Sequence, residues 1–434
     1  MNPSPAQLSD LASALCFGLI LLVPLALAGI AILNAGLGRV RSAAHAMLGS
    51  LVILAAAAAT FAILGYSFTG YPGLPQHSIT LSHSTWGWLA ALPIGLRRWE
   101  LNTSPAALAA LLQLFTVGLA ALIPWGAGAD RWRLRAAIAS TIVFSAITYP
   151  LIAHWAWGGG WLAHLGCRFG LGLGFLDTAG AGVVQATGGL TALAIVWLAG
   201  ARHGKYHLNQ LPSVFPGHNM LYVTYGGLLA LAGWLGLNGA GAILFAGASP
   251  AALPFVAVNT VLSASGALLA ALVVTNVRFG KPDASLCANG WMAGLVTSSA
   301  LCAWVSPAGA LLAGALIGCA IPFLAEILEL HCGVDDPAGA VAVHAGGGLW
   351  GLLALGLLAH TGAPRGGQLL AQLIGIATLL GFVLPLTYAL NWLVGRFTPH
   401  RVSPEGERAG MDMHELGAGA YPEFVIHADD FFLR

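Results

Sequence analysis

The chain has 434 residues, of which 58% are hydrophobic and only 8% are Asp, Glu, Lys or Arg. Soluble domains carry about 25% charged residues, so this chain lacks the polar groups needed to cover a water-facing surface. A formal net charge of +1 offers nucleic acid no footing, and the 58 glycines suit helices that pack closely inside a bilayer.

Apolar runs long enough to cross a membrane follow one another along the chain. They fall at about 11–36, 43–66, 104–128, 136–157, 178–200, 219–244, 252–276, 286–305, 307–328, 338–360 and 368–395. This predicts an all-α, polytopic membrane protein of eleven helices. No succession of short alternating strands marks a β-barrel. The stretch 85–95 (TWGWLAALPIG) is apolar but short and contains Pro93, which predicts a re-entrant or interfacial piece. The N-terminal MNPSPAQLSD has no basic n-region, so the first run is expected to be a retained helix. The six cysteines are scattered and form no CxxC pair, so neither a zinc site nor a disulfide framework is indicated.

Basic residues orient the helices. With the N-terminus outside, the inside loops and tail hold Arg39, Arg41, Arg131, Arg133, Arg135, Arg202, Lys205, Arg278, Lys281, Arg396, Arg401, Arg408 and Arg434. Only Arg97, Arg98, Arg168 and Arg365 fall outside. The expected topology is N-out and C-in, in the cell (inner) membrane.

The chain also echoes itself. Asp177-Thr-Ala-Gly-Ala-Gly-Val-Val-Gln185-Ala-Thr-Gly-Gly-Leu matches Asp336-Pro-Ala-Gly-Ala-Val-Ala-Val-His344-Ala-Gly-Gly-Gly-Leu. Ala26-Leu-Ala-Gly…Leu-Asn34 matches Ala230-Leu-Ala-Gly…Leu-Asn238 at the same spacing. Two matches in one order define repeats over about 11–200 and 219–360. Five helices is an odd number, so the second repeat is inverted, an architecture that places a solute site near the midplane. Residues 1–395 then form the transmembrane domain, with helix eleven at about 368–395, and 396–434 a cytoplasmic tail.

Gln185 and His344 occupy matching positions about eight residues into their helices. At ~1.5 Å per residue this is ~12 Å into a ~30 Å core, from opposite faces. Polar groups at that depth usually face a cavity or the bundle interior, and the symmetry favours one shared pathway over two separate interhelical hydrogen bonds. Asp177 and Asp336 each precede a glycine-rich helix start and are expected to cap it; on the outer side, Asp177 would also attract a cation. Trp155, Trp157 and Trp161 fit either an interfacial belt or a pore mouth that binds a small cation over an indole face. His77, His83, His154 and His164 show no metal-site spacing. No nucleophile–base pair or cofactor motif stands out, so an enzyme is not expected.

Several stretches together resemble the ammonium transporter (Amt/Rh) family: Leu33-Asn-Ala-Gly-Leu-Gly-Arg39, Ala153-His-Trp-Ala-Trp-Gly-Gly-Gly160, Asp177 to Gln185, Gly217-His-Asn-Met220, Gly233-Trp-Leu-Gly-Leu-Asn238, Arg278-Phe-Gly-Lys-Pro282, Val334-Asp-Asp-Pro337 with Val343-His344, and Arg408-Ala-Gly-Met-Asp412 with Ala420-Tyr421. The resemblance covers nearly the whole chain. It implies an eleven-helix fold, a homotrimer with one pore per subunit, and transport of ammonium or ammonia. In this family the ion is recruited at an outer aromatic site, and ammonia then passes an apolar pore lined by two histidines. It also implies a PII-type regulator at the cytoplasmic face.

By that resemblance His344 is the second pore histidine and Trp157 the recruiting tryptophan, whereas Gln185 replaces the first pore histidine. The two gate phenylalanines fall at Thr116 and Leu237, with Phe115 one position away, and the cation-binding serine falls at Gly241. These changes predict a wider outer vestibule and an interrupted proton route, because an amide cannot relay a proton near neutral pH. The loop between Trp157 and Asp177 is longer than usual and holds Cys167 and Arg168. The tail keeps Gly410, Asp412, Gly417, Ala420 and Tyr421 but has Leu416 and Ala418 where a histidine and an acidic residue are usual. Three readings follow: an ammonium or ammonia transporter with altered proton handling, a pore for a substituted amine or neutral amide, or a poorly conducting membrane sensor.

Overall fold

The computed structural model describes residues 8–81, 84–95, 99, 102–207 and 211–421. His83, Arg97, Arg98 and Arg434 lie outside the described residues. Among these residues, ten helices are long and apolar enough to cross a membrane: α1 (Asp10–Leu37), α2 (Val40–Thr69), α3 (Pro105–Ala127), α4 (Leu134–Ala156), α5 (Ala181–Ala199), α6 (Met220–Phe245), α7 (Pro250–Phe279), α9 (Pro307–Leu330), α10 (Val341–Leu358) and α11 (Arg365–Phe397). Between α7 and α9 runs α8 (Ala284–Leu301), 18 residues long and almost wholly buried. Its Asn289, Thr297, Ser298 and Ser299 lower its apolarity and point into the bundle. Eleven helical rods result, as the apolar runs predict.

Local sequence sets the helix starts. Ser9, Ser104, Ser306, Asn219 and Asp283 each accept a hydrogen bond from a first-turn amide, which satisfies donors that no helix can pair internally. Pro105 and Pro307 follow two of those serines, where a missing N–H costs nothing.

The repeats pack reciprocally. On α1 and α6, a Cβ on Gly29 would strike the Gly226 carbonyl and Ala230, and one on Gly233 would strike Ala26. On α5 and α10, Gly189 lies against Ala345 while its repeat equivalent Gly348 lies against Ala186. Both echoed motifs therefore meet their own counterparts, as a pseudo-twofold axis in the membrane plane requires. Such backbone contact is available only to glycine. Gly233→Ala is expected to cost about 1–3 kcal/mol through overpacking, read as a lower thermal midpoint in detergent.

Of the two readings of 85–95, re-entrant or interfacial, the re-entrant one fails: Gln76–Leu81 (β1) and Ser84–Ala90 (β2) form an antiparallel hairpin. The physical reason is the alternation around Trp86, Gly87 and Trp88, a two-residue period suited to a strand. The Trp88 carbonyl accepts from Trp155 Nε1 at 3.0 Å, so Trp155 is buried as a pin between α4 and the hairpin. At the other end of the bundle the polypeptide after α11 folds back onto the helix ends. The hairpin and this tail mark the two faces.

Candidate functional site

Corresponding turns open α5 and α10. Gly180 (φ 95°) and Gly339 (φ 65°) match in the repeat, and both are left-handed, the conformation glycine adopts without strain. Each leads into one wide π-type turn, Ala181–Ala186 and Val341–Gly346. Turns of this kind recur at functional sites because they swing one side chain off the regular helical track. The carriers here are Gln185 and His344.

The two side chains meet. His344 Nδ1 lies 2.7 Å from Gln185 Oε1, and both residues are buried. An amide oxygen only accepts, so Nδ1 donates and Nε2 remains as the acceptor of the ring. The Gln185 Nε2 group has no partner. His344 borders a cavity of about 10 Å³ shared with Asn34, Ile123, Asn289 and Met292, roughly the size that admits one water-sized particle. Asn289 also lines a larger chamber of about 500 Å³ at the tail face, with Arg202, Lys205, Asp335, Asp336 and Gly339. Asn289 borders both spaces.

Toward the hairpin face the arrangement differs from expectation. Asp177 caps its helix as the sequence suggests: Oδ1 accepts from Gly180 N, and Oδ2 from Gly182 N and Val183 N, at 2.8–3.0 Å. Its carbonyl accepts from Trp157 Nε1 at 2.6 Å and fixes that indole. The three positions expected to open the outer vestibule are closely packed. Thr116 is fully buried and bonded to the Tyr149 hydroxyl at 2.7 Å. Leu237 is fully buried. Gly241 lies against the Thr178 carbonyl and Ala179, leaving no room for a side chain. Phe115 is half-buried on a neighbouring face of α3 and does not substitute for Thr116.

Phe245, which the sequence pattern did not single out, lies against the recruiting tryptophan's position. Phe245 stacks parallel on Trp157, with ring centroids 4.2 Å apart and planes at 0°. Rings that close leave no gap for an ion between them. The signal was present, since Leu237, Gly241 and Phe245 recur at i, i+4 and i+8 on one face of α6. Among the outer histidines, His154 and His164 bond the carbonyls of Thr69 and Gly160, and no metal-holding group of three side chains occurs among the described residues.

The tail face is tied by ions. Arg202 bridges Asp130 (2.9 Å) and Asp335 (2.8 Å), all three buried. Asp335 immediately precedes Asp336, which opens α10. Glu407 of the tail accepts from His203 N and from Arg401. Asp412 accepts from Ala44 N and His45 N at the start of α2, and Glu415 reaches His45 Nε2 at 3.0 Å. The tail thus caps α2 and touches the residue beside Arg202.

Comparison with known proteins agrees with this architecture. The family model described as "Ammonium Transporter Family" matches residues 14–421. Ammonium transporter Amt2 of Archaeoglobus fulgidus is 35% identical over 415 residues, covering 92% of this chain and 85% of that protein. Ammonium transporter Amt2 of Haloferax mediterranei is 30% identical, covering 92% and 87%. A solved structure titled "Sensor Amt Protein" superposes with a TM-score of 0.84 at 26% identity, over 94% of this chain and 98% of that one. Mep2 of Candida albicans shares the fold at a TM-score of 0.76 and 24% identity, over 96% and 92%. By its motifs, its repeat geometry and these likenesses, the chain belongs to the ammonium transporter family.

Proposed function

We propose that this protein conducts ammonia or ammonium across the cell (inner) membrane by a pathway past Gln185 and His344, without the two-histidine proton relay. The observation that carries this reading is the buried Gln185–His344 pair at 2.7 Å. An ion in a low-dielectric pore is costly, whereas a neutral amine crosses cheaply. His344 offers a ring nitrogen to such a solute, but Gln185, the side chain it bonds, cannot take or return a proton. The reading assigns Trp157, Asp177, Thr116, Phe115, Leu237 and Gly241 to the outer wall of the pathway. It also assigns 1–395 to the transporting domain, with the N-terminus outside, and 396–434 to a cytoplasmic tail. A homotrimer and docking of a PII-type regulator on that tail belong to the same reading.

A second reading, a poorly conducting sensor, is favoured by one feature: Phe245 covers the Trp157 face where a recruited cation would sit. A larger amine or amide gains no support, because Thr116, Leu237 and Gly241 leave no added space.

Flux measured in proteoliposomes separates these readings. An external ammonium pulse is expected to alkalinise the lumen faster than in protein-free vesicles, since entering ammonia takes up a proton inside. Luminal kinetics equal to those of empty vesicles would reject the transporter and favour the sensor.

A further inference from the structure

Helix α11 lies outside both repeats, and one of its faces carries buried polar side chains. Gln368, Gln372 and Gly375 recur at i, i+4 and i+7, on the side that meets the loop between Trp157 and Asp177. Gln368 is 2% exposed and Gln372 0%. Gln368 Oε1 accepts from Leu173 N at 3.0 Å, and its Nε2 donates to the Gly174 carbonyl at 2.9 Å. Gln372 Oε1 accepts from Leu176 N at 2.9 Å, and its Nε2 donates to the Leu176 carbonyl at 2.8 Å. Two side-chain amides therefore serve the loop as a neighbouring strand would, and one of them holds both the N–H and the C=O of Leu176. The Phe175 ring seats on Gly375, where a Cβ would leave it no room.

This clamp ends one residue before Asp177. The Asp177 carbonyl fixes the Trp157 indole, and its carboxylate caps the turn that carries Gln185. A shift of Leu176 therefore moves both. The turn that opens α10 has a counterpart. Asp335, the residue before Asp336, has its carbonyl held by Arg131 Nη2 at 2.6 Å and its carboxylate by Arg202. At each turn the residue before the cap is tied by donors from elsewhere in the chain, but the charge differs: guanidinium groups at the tail face, neutral amides at the hairpin face. A guanidinium beside Trp157 would repel an arriving cation across a low-dielectric mouth, whereas a carboxamide supplies donor and acceptor without charge.

We propose that Gln372, supported by Gln368, is a positioning residue for solute recruitment: it holds Leu176 so that Asp177 sets both the face of Trp157 and the entry turn of α5. The recruitment role rests on the transport reading above; the clamp does not. Three left-handed glycines, Gly170, Gly172 and Gly174, give the loop conformational freedom. The two amides remove that freedom immediately before the cap.

The test is luminal alkalinisation of proteoliposomes by external ammonium, resolved into half-saturation and maximal rate, with hydrogen exchange of the backbone amides as a second readout. Gln372→Leu keeps the volume and removes both bonds to Leu176. Its half-saturation should rise about tenfold, the scale of a lost pair of buried hydrogen bonds, at a little-changed maximal rate. Amides 173–183 should exchange faster in this variant, and those of 220–245 at the wild-type rate. Gln372→Glu keeps an acceptor for Leu176 N, but a carboxylate cannot donate to the Leu176 carbonyl. Its half-saturation relative to wild type at the same pH should fall back toward one between about pH 8 and about pH 5, as the carboxyl regains a proton to donate. That profile decides the matter if Gln372→Leu does not fold. An unchanged half-saturation in folded Gln372→Leu, a fall in maximal rate alone, or a Gln372→Glu ratio that does not move with pH overturns the proposal. Wild-type flux equal to that of empty vesicles defeats the transport reading instead. The clamp then stands if 173–183 loosens in Gln372→Leu and falls if it does not.

Discussion

Arg202→Leu is expected to destabilise the protein by about 3–5 kcal/mol, enough to lose most folded material, because it strands two buried carboxylates. Arg202 donates through Nε and Nη2 to Asp335 and through Nη1 to Asp130, and its backbone N–H also bonds Asp335. Leucine fills similar volume but supplies none of these donors. Burial alone would raise the Asp335 carboxyl. The Arg202 hydrogen bonds and the charges of Arg131 and Arg202 outweigh it and hold the group at about 2, below its usual 3.8. A depressed carboxyl stabilises the fold above its unfolded value, and that contribution is lost only as pH falls through about 2. Asp335 therefore adds no pH dependence between pH 5 and 8. Thermal unfolding in detergent checks both points. Arg202→Lys, which keeps the charge but not the planar fork, should fall between wild type and Arg202→Leu. A midpoint for Arg202→Leu within error of the wild type would show that the network does not hold the tail face together.

Most of the fold was legible from residue pattern. Apolar length fixed eleven helices, and the two echoed motifs identified repeats whose glycines do contact their counterparts across α1–α6 and α5–α10. The pairing of Gln185 with His344 followed from repeat position and depth. The hairpin was missed because Thr85–Gly95 was weighed for apolarity rather than for its two-residue alternation. The close packing at the outer positions was not legible for a different reason. Removing side-chain bulk at Thr116, Leu237 and Gly241 was taken to leave space, but interiors pack to crystal-like density and a neighbour fills a vacated volume. Here Thr178 and Ala179 close on Gly241, and Phe245 closes on Trp157.

Phe245→Ala is the substitution expected to change solute recruitment most. The ring lies flat on Trp157 at 4.2 Å, while the indole is held by the Asp177 carbonyl and keeps its place when Phe245 is removed. Uncovering an indole face in a desolvated mouth makes about 0.5–2 kcal/mol of cation–π attraction available. This corresponds to an increase in apparent ammonium affinity on the order of tenfold. The stacked pair itself is worth about 0.5–1.5 kcal/mol beyond area burial, so the variant should fold with a modestly lower midpoint. The measurement is the ammonium concentration giving half-maximal luminal alkalinisation in proteoliposomes. A lower half-saturation in Phe245→Ala supports a covered recruitment site. An unchanged value in a folded variant would mean that Trp157 is a structural tryptophan and the solute does not contact its face.

The proposed absence of a proton relay through Gln185 is tested most directly by current. Proteoliposomes on a solid-supported membrane receive an ammonium pulse, and charge movement is recorded for the wild type and for Gln185→His. The account predicts wild-type flux without current above the protein-free level, and inward current in Gln185→His, where two imidazoles at the 2.7 Å contact can pass a proton. A robust wild-type current that Gln185→His leaves unchanged would contradict it, because the proton would then cross by a route that does not involve this residue.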